Sequence, residues 1–271
     1  MAHLYEIQLR WIHKLQDGMR GPITDPFFIF FNSLDSAWFV LLFVACIMYL
    51  FNRKEGVSIL FLFILSGAIN MVLKQLFHSP RPCQIDPSIG ILCFKSFGFP
   101  SGASQTGTLV AGIALTKCRS NWLRIIGVLF GLTMCFSRIY LGVHFITDVL
   151  GGIAIGVGLL FIYVKLFPLI EDHFAKFAFC LTALFLFGGK AMLSHMCISL
   201  GIGIGLLFLD KLELPKSWAL RFLTLLIVIV GTVLLQKLQV KAVEMALIGF
   251  WFIYLGNQIV KRALEIAERR H

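Results

Sequence analysis

Long apolar runs dominate the chain and short polar breaks separate them. They lie at roughly 26–51, 57–77, 102–117, 122–140, 146–168, 174–189, 191–209, 217–236 and 243–260. Within each run apolar residues follow one another instead of alternating, which excludes an outer-membrane barrel and predicts helices. Most runs approach the ~20 residues needed to cross a bilayer. The pattern therefore predicts an all-α, polytopic transmembrane helical bundle of about nine spans, or eight if 174–189 and 191–209 are tilted or partly re-entrant. Ahead of the first run, Leu4, Ile7, Trp11, Ile12, Leu15 and Met19 recur at helical spacing, and Glu6, Gln8, Arg10, His13, Lys14 and Asp17 fill the other face. Residues 1–22 thus read as an amphipathic helix, either lying in the membrane interface or packing its stripe on other helices. They lack the apolar core and cleavage site of a signal peptide. Three regions are expected: the amphipathic helix 1–22, a core of spans over 23–170 that carries the polar motifs, and additional transmembrane helices over 171–271.

Composition agrees with this pattern. Of 271 residues, 58% are hydrophobic and 14% charged, and the mean hydropathy is +0.87. A soluble domain cannot bury that much apolar surface. The net charge of +10 would suggest nucleic acid in a soluble protein. Here the cations sit at the ends of apolar runs, where they anchor helices and set topology, so no nucleic-acid partner is expected. Arg53, Lys54, Lys117, Arg119, Arg124, Lys165, Lys211 and Lys216 gather on one side with the C-terminal tail. That side is the more positive and reads as cytoplasmic, which puts the N-terminus and the polar loop 78–100 outside. Seven cysteines show neither CxxC nor metal spacing. Cys83 and Cys93 share the polar loop and can pair if it meets an oxidising space, with two free thiols the slightly favoured alternative.

Three stretches bring cations and histidine to span ends, where such groups are costly and point to function. The first is Lys74-Gln-Leu-Phe-His-Ser-Pro-Arg81-Pro82, in which Pro80 and Pro82 stop the helix. The second, Phe99-Pro100-Ser101-Gly102-Ala103-Ser104-Gln105, opens a span with small residues, so free backbone N–H groups and a hydroxyl are available to an anion. The third is Ser137-Arg138-Ile-Tyr-Leu-Gly-Val-His144-Phe-Ile-Thr-Asp148. The four-residue spacing lets Asp148 hold one imidazole nitrogen while the other stays free to attack phosphorus. Taken singly, each has a structural explanation: snorkelling cations, an ordinary serine cap, a histidine–aspartate staple between helices. Taken together, all three fall at span ends on one membrane side.

In this order and spacing the motifs resemble the type 2 phosphatidic acid phosphatases, also called lipid phosphate phosphatases. The resemblance covers about residues 74–151, including Asp148-Val-Leu-Gly-Gly, and the whole chain looks like a bacterial branch with extra C-terminal spans. It implies that Lys74, Arg81, Ser101, Gly102 and Arg138 bind the phosphate, that His144 is the nucleophile and that Asp148 orients it. No metal or other cofactor is implied, since cations and backbone dipoles supply the charge stabilisation. The expected partners are the bilayer and a lipid phosphate substrate of the undecaprenyl pyrophosphate, phosphatidic acid or phosphatidylglycerophosphate class. The expected location is a bacterial inner membrane with the site facing outward.

One position departs from the family pattern. Pro-Ser-Gly is normally followed by a histidine that protonates the leaving oxygen, and here the residue is Ala103. Losing a general acid typically costs ~10²–10⁴-fold in rate. Three accounts stay open: an inactivating substitution, a substrate such as a pyrophosphate ester whose leaving group needs no acid, or a lipid phosphotransferase or lipid-binding protein on the same scaffold. His78, four residues after Lys74, is a further candidate for the missing acid, though an interfacial loop histidine is the simpler reading.

Overall fold

The computed structural model describes residues 2–169, 193–207, 214–236, 241–256 and 258–262. All regular structure among them is helical: α1 Ala2–Met19, α2 Thr24–Ser33, α3 Ala37–Cys46, α4 Arg53–Phe77, α5 Pro82–Ile85, α6 Gly102–Lys117, α7 Asn121–Tyr140, α8 Ile146–Phe161, α9 Leu193–Leu207, α10 Trp218–Leu235 and α11 Lys241–Phe250. Among the described residues, Arg53–Ile85, Asn121–Tyr140, Ile146–Leu169, Trp218–Leu235 and Val243–Arg262 are long and apolar enough to cross a bilayer, and Thr24–Ser33 with Ala37–Phe51 makes a further candidate if taken as one broken span.

The expected nine runs appear in altered form. The run 26–51 is interrupted between Ser33 and Ala37. The polar cluster Asn32-Ser33-Leu34-Asp35-Ser36 explains the break: Leu34 N and Asp35 N turn back to Phe31 O and Asn32 O, and the Ser33 hydroxyl bonds Phe30 O at 2.6 Å. These local bonds compete with the helical ladder. The run 102–117 is the 16-residue α6, buried over much of its length. Of the run 191–209, the described part is the 15-residue α9, and 174–189 lies outside the described residues.

The chain divides into two compact units, Met1–Ala37 with Ile69–Val164, and Trp38–Ala68 with Lys165–His271. The first holds all three motifs. Its centre is α6, packed on α7 and α8 by close backbone approach. A side chain on Gly131 would come within 2.7 Å of Gly107 O, and one on Gly152 within 2.4 Å of Ser101 O. Small residues at such crossings let transmembrane helices approach closely. Helix α1 closes one side of this unit. Ile12 is fully buried among Ile89 and Phe145, and Leu15 and Met19 pack on Phe28, Tyr140, Leu141 and Val143. Gln16 Nε2 donates to Ile89 O at 2.8 Å and to Tyr140 O at 2.7 Å. Gln8 Oε1 accepts from Thr147 N at 3.0 Å. Leu4 and Trp11, in the same apolar stripe, stay exposed.

The second unit is held by apolar packing and by side chains that satisfy backbone carbonyls. Tyr49 donates to Phe252 O, Trp251 Nε1 to Val228 O at 3.0 Å, and Arg221 to Pro215 O at 2.7 Å and Leu50 O at 2.9 Å. Helices α9 and α11 touch through Gly201 and Gly249, where added side chains would strike Ala246 O and Ile198 O.

Candidate active site

Loop 78–100 is tied down along its length. Gly98 N bonds Ser79 O at 2.7 Å, Cys83 N bonds Gly142 O at 3.1 Å, and Ile91 N bonds Leu141 O at 3.1 Å. Gly142 turns with φ +68° so close to the loop that an added side chain would lie 2.2 Å from Ile89 O. Both the left-handed backbone and the approach require glycine there. Cys83 and Cys93 are joined in a disulfide, not the two free thiols that were marginally favoured. The free thiols were preferred only for want of geometry, and the folded loop brings their Cα atoms to 5.7 Å.

On this frame the residues of the three motifs converge. His144 lies between α7 and α8 and is 5% exposed. Its Nδ1 is 3.3 Å from Asp148 Oδ2, and the same oxygen accepts from Phe145 N at 3.0 Å. Its Nε2 is 3.1 Å from Arg81 Nη1. A guanidinium can only donate, so Nε2 is the acceptor and Nδ1 carries the proton towards Asp148. Burial first, and then the charges of Arg81, Lys74 and Arg138, hold the imidazole well below its usual range. A neutral ring with an unprotonated Nε2 is the form a nucleophile needs.

The cations differ in how they are engaged. Arg81 is held on several sides, Nε to Ser96 O at 2.7 Å, Nη2 to Ser96 Oγ at 2.8 Å and Nη1 to Val143 O at 2.9 Å. Lys74 Nζ donates to Phe97 O at 2.7 Å and Gly98 O at 3.1 Å. Arg138, 2% exposed, bonds Asn32 Oδ1 through Nη1 at 2.5 Å, while its Nε and Nη2 are buried with no partner among the described residues. Two unmatched N–H groups on one planar fork suit two oxygens of a tetrahedral anion.

Ser101 caps α6. Its Oγ accepts from Ser104 N at 3.3 Å and from Ser104 Oγ at 2.9 Å, and its own N–H bonds Asp148 O at 3.0 Å. The second and third motifs are thereby pinned to each other. Gly102 faces Asn70, which also donates to Pro100 O at 3.1 Å and to Gln105 Oε1. Ala103 is fully buried, so no water-sized opening replaces the family histidine. His78 is exposed, with its ring edge-on to Phe97 at 4.5 Å. Sequence reasoning had passed over Asn32, Asp35, Asn70 and Ser96. Asn70 had a signal, being a polar residue one helical turn before Lys74 in an apolar run. Asn32 and Asp35 had one too, in the polar cluster inside the first run.

With this geometry in place, known proteins fit alongside. Residues 55–172 match the PAP2 superfamily. The phosphatidylglycerophosphatase B of Bacillus subtilis (strain 168) is 35% identical over 126 residues, 42% of this chain and 60% of that protein. An undecaprenyl-diphosphatase of Sulfolobus acidocaldarius is 26% identical over 117 residues, 42% of this chain and 56% of that one. The chain thus spans less than two thirds of the length of both. Among solved structures, that of a transmembrane PAP2-type phosphatidylglycerolphosphate phosphatase from Bacillus subtilis superposes with a TM-score of 0.53 at 28% identity, covering 64% of this chain and 89% of that one. The described residues form an all-helical integral membrane protein, and the segment that carries its motifs is similar to the PAP2 superfamily.

Proposed function

We propose that the protein hydrolyses a phosphate or pyrophosphate ester of a membrane lipid through a phosphohistidine at His144. The observation that carries this reading is the orientation of the ring: Nδ1 is committed to Asp148 and Nε2 faces Arg81 in a cluster with Lys74 and Arg138. In the proposed reaction the phosphate settles on the free Nε and Nη2 of Arg138, with Lys74, Arg81, Ser101 and the N–H groups that open α6 around it. His144 Nε2 attacks phosphorus, the bond to the leaving oxygen breaks, and Asp148 stabilises the imidazole as charge develops. Water then cleaves the phosphorus–nitrogen bond and regenerates His144. The named relatives act on lipid phosphates, which supports a substrate with its head group at the site and its tails in the bilayer.

The Cys83–Cys93 bond supports an outward-facing site, since such bonds persist in oxidising compartments such as the periplasm. It agrees with the charge asymmetry that assigns loop 78–100 to the outer face of a bacterial inner membrane.

The test is a rapid quench of purified protein with ³²P-labelled phosphatidic acid and, separately, labelled undecaprenyl pyrophosphate. The expected result is acid-labile, base-stable label on the protein, absent from His144→Ala, with free phosphate as product. Label appearing on an added acceptor lipid instead would make the protein a transferase. Phosphate release by His144→Ala at the unsubstituted rate would refute the mechanism.

A further inference from the structure

The site as built has a nucleophile, its positioning carboxylate and three cations, but position 103 offers no proton for the leaving oxygen. Within the first motif, His78 is exposed with its ring against Phe97. Outside the motifs stands Asp35, in the break between α2 and α3. Resting on the phosphatase reading above, we propose that Asp35 is the general acid of this site, donating to the leaving oxygen the proton that a histidine at 103 would otherwise supply.

Three observations carry the assignment. Asp35 Oδ2 lies 3.7 Å from Arg138 Nη1, the nitrogen that Asn32 also engages, and so sits on the same guanidinium without occupying its Nε and Nη2. The charges of Arg138, Lys74 and Arg81 act on its carboxyl against the larger effect of its burial. Its side chain is 36% exposed, whereas that of Asp148 is 3% exposed and already spent on His144 and Phe145 N. Asp35 is therefore an acid that a leaving group can reach. In the free site a carboxylate answers three positive charges. When a phosphate dianion takes those cations, two negative groups share one site, and the carboxyl is driven to hold a proton. Substrate binding itself thus arms the acid.

The chemistry balances. The His144 Nε2 lone pair forms the bond to phosphorus, the bond to the ester oxygen breaks with its electron pair on that oxygen, and the Asp35 proton goes to it. In the second half the Asp35 carboxylate takes a proton from water as the water oxygen attacks phosphorus. The phosphorus–nitrogen bond breaks with its pair returning to Nε2.

The experiment compares the unsubstituted protein, Asp35→Asn and Asp35→Glu in detergent micelles. One substrate is phosphatidic acid, which expels an alkoxide, and the other is p-nitrophenyl phosphate, whose leaving group needs no proton. Matching thermal unfolding temperatures confirm folding. The expected result for Asp35→Asn is a ~10²–10⁴-fold fall in kcat/KM on phosphatidic acid, a fall below about tenfold on the aryl phosphate, and substantial recovery in Asp35→Glu. Equal losses on both substrates, or none on either, would overturn the assignment. So would an unsubstituted protein that cleaves the aryl ester but not phosphatidic acid, because no acid would then be acting. His144→Ala separates the two readings: if it still cleaves the aryl ester, the phosphohistidine mechanism fails whatever Asp35 does.

Discussion

Arg138 in the first unit and Arg221 in the second are both drawn into a membrane protein, but they are used in opposite ways. Arg221 spends its donors on the carbonyls of Pro215 and Leu50 and lies 5.0 Å over the Trp218 ring. It supplies donors to two backbone carbonyls. Arg138 is more deeply buried and keeps Nε and Nη2 without partners among the described residues. Leaving such groups unmatched costs ~1–3 kcal/mol or more, and the fold bears this where an anion can repay it. The difference separates a cation that completes a structure from one held ready for a ligand.

The largest effect should come from His144→Ala, which is expected to cut phosphate release by at least ~10³-fold, with little change in thermal unfolding temperature. Activity surviving that change would dissolve the contrast between the units. Next, Arg138→Lys replaces a planar fork by a point charge, and kcat/KM should drop ~10²–10³-fold. Arg221→Lys should leave turnover within about twofold and lower only the unfolding temperature, because its losses are structural. Similar activity losses in the two variants would mean that both arginines serve structure.

Packing offers a finer comparison. Gly152→Ala drives a methyl to 2.4 Å from Ser101 O, whereas nothing lies within 4 Å of a side chain added at Gly158. The first should destabilise by ~1–3 kcal/mol and disturb the Ser101 cap, and the second should be neutral or stabilise by up to ~1 kcal/mol. Thermal unfolding in detergent measures both. The smallest effect concerns pH. The His144 pKa is lowered, so the ring stays neutral above its depressed value and is lost as a nucleophile only as pH falls through it. The acid limb of kcat/KM should therefore lie below the usual imidazole range near 6.5, with no His144-linked loss between about pH 6.5 and 8. An acid limb centred above 6.5 would contradict the burial and cation field around the ring.

The motifs were legible in the sequence because their chemistry restricts residue type and spacing together. Lys74, Arg81, Ser101, Gly102, Arg138, His144 and Asp148 could be named without coordinates, and the structure brings them into one unit. The helical class was legible from continuous apolar runs. What escaped depended on distance along the chain. Asp35 and Arg138 are far apart in sequence, and a lone carboxylate inside an apolar run resembles an ordinary helix break until the fold sets it beside a guanidinium. The pairing of Cys83 with Cys93 needed the loop's path. The break at Leu34 was written in five consecutive residues, four of them polar, but averaging over the long run concealed it.

The attachment of α1 has a consequence for how the protein is made. The later of the two carbonyl partners of Gln16 is on Tyr140, 124 residues on. At translation rates of ~5–20 residues per second, that partner emerges roughly 6–25 s after Gln16 does. For the earlier part of that interval Ile12, whose partners Ile89 and Phe145 also come later in the chain, has nothing of its own to cover it. An amphipathic helix can wait at the lipid surface without aggregating, so the stripe that ends as packing also serves as a mooring during synthesis. The helix comes before these partners in the chain and docks on them only after they have emerged.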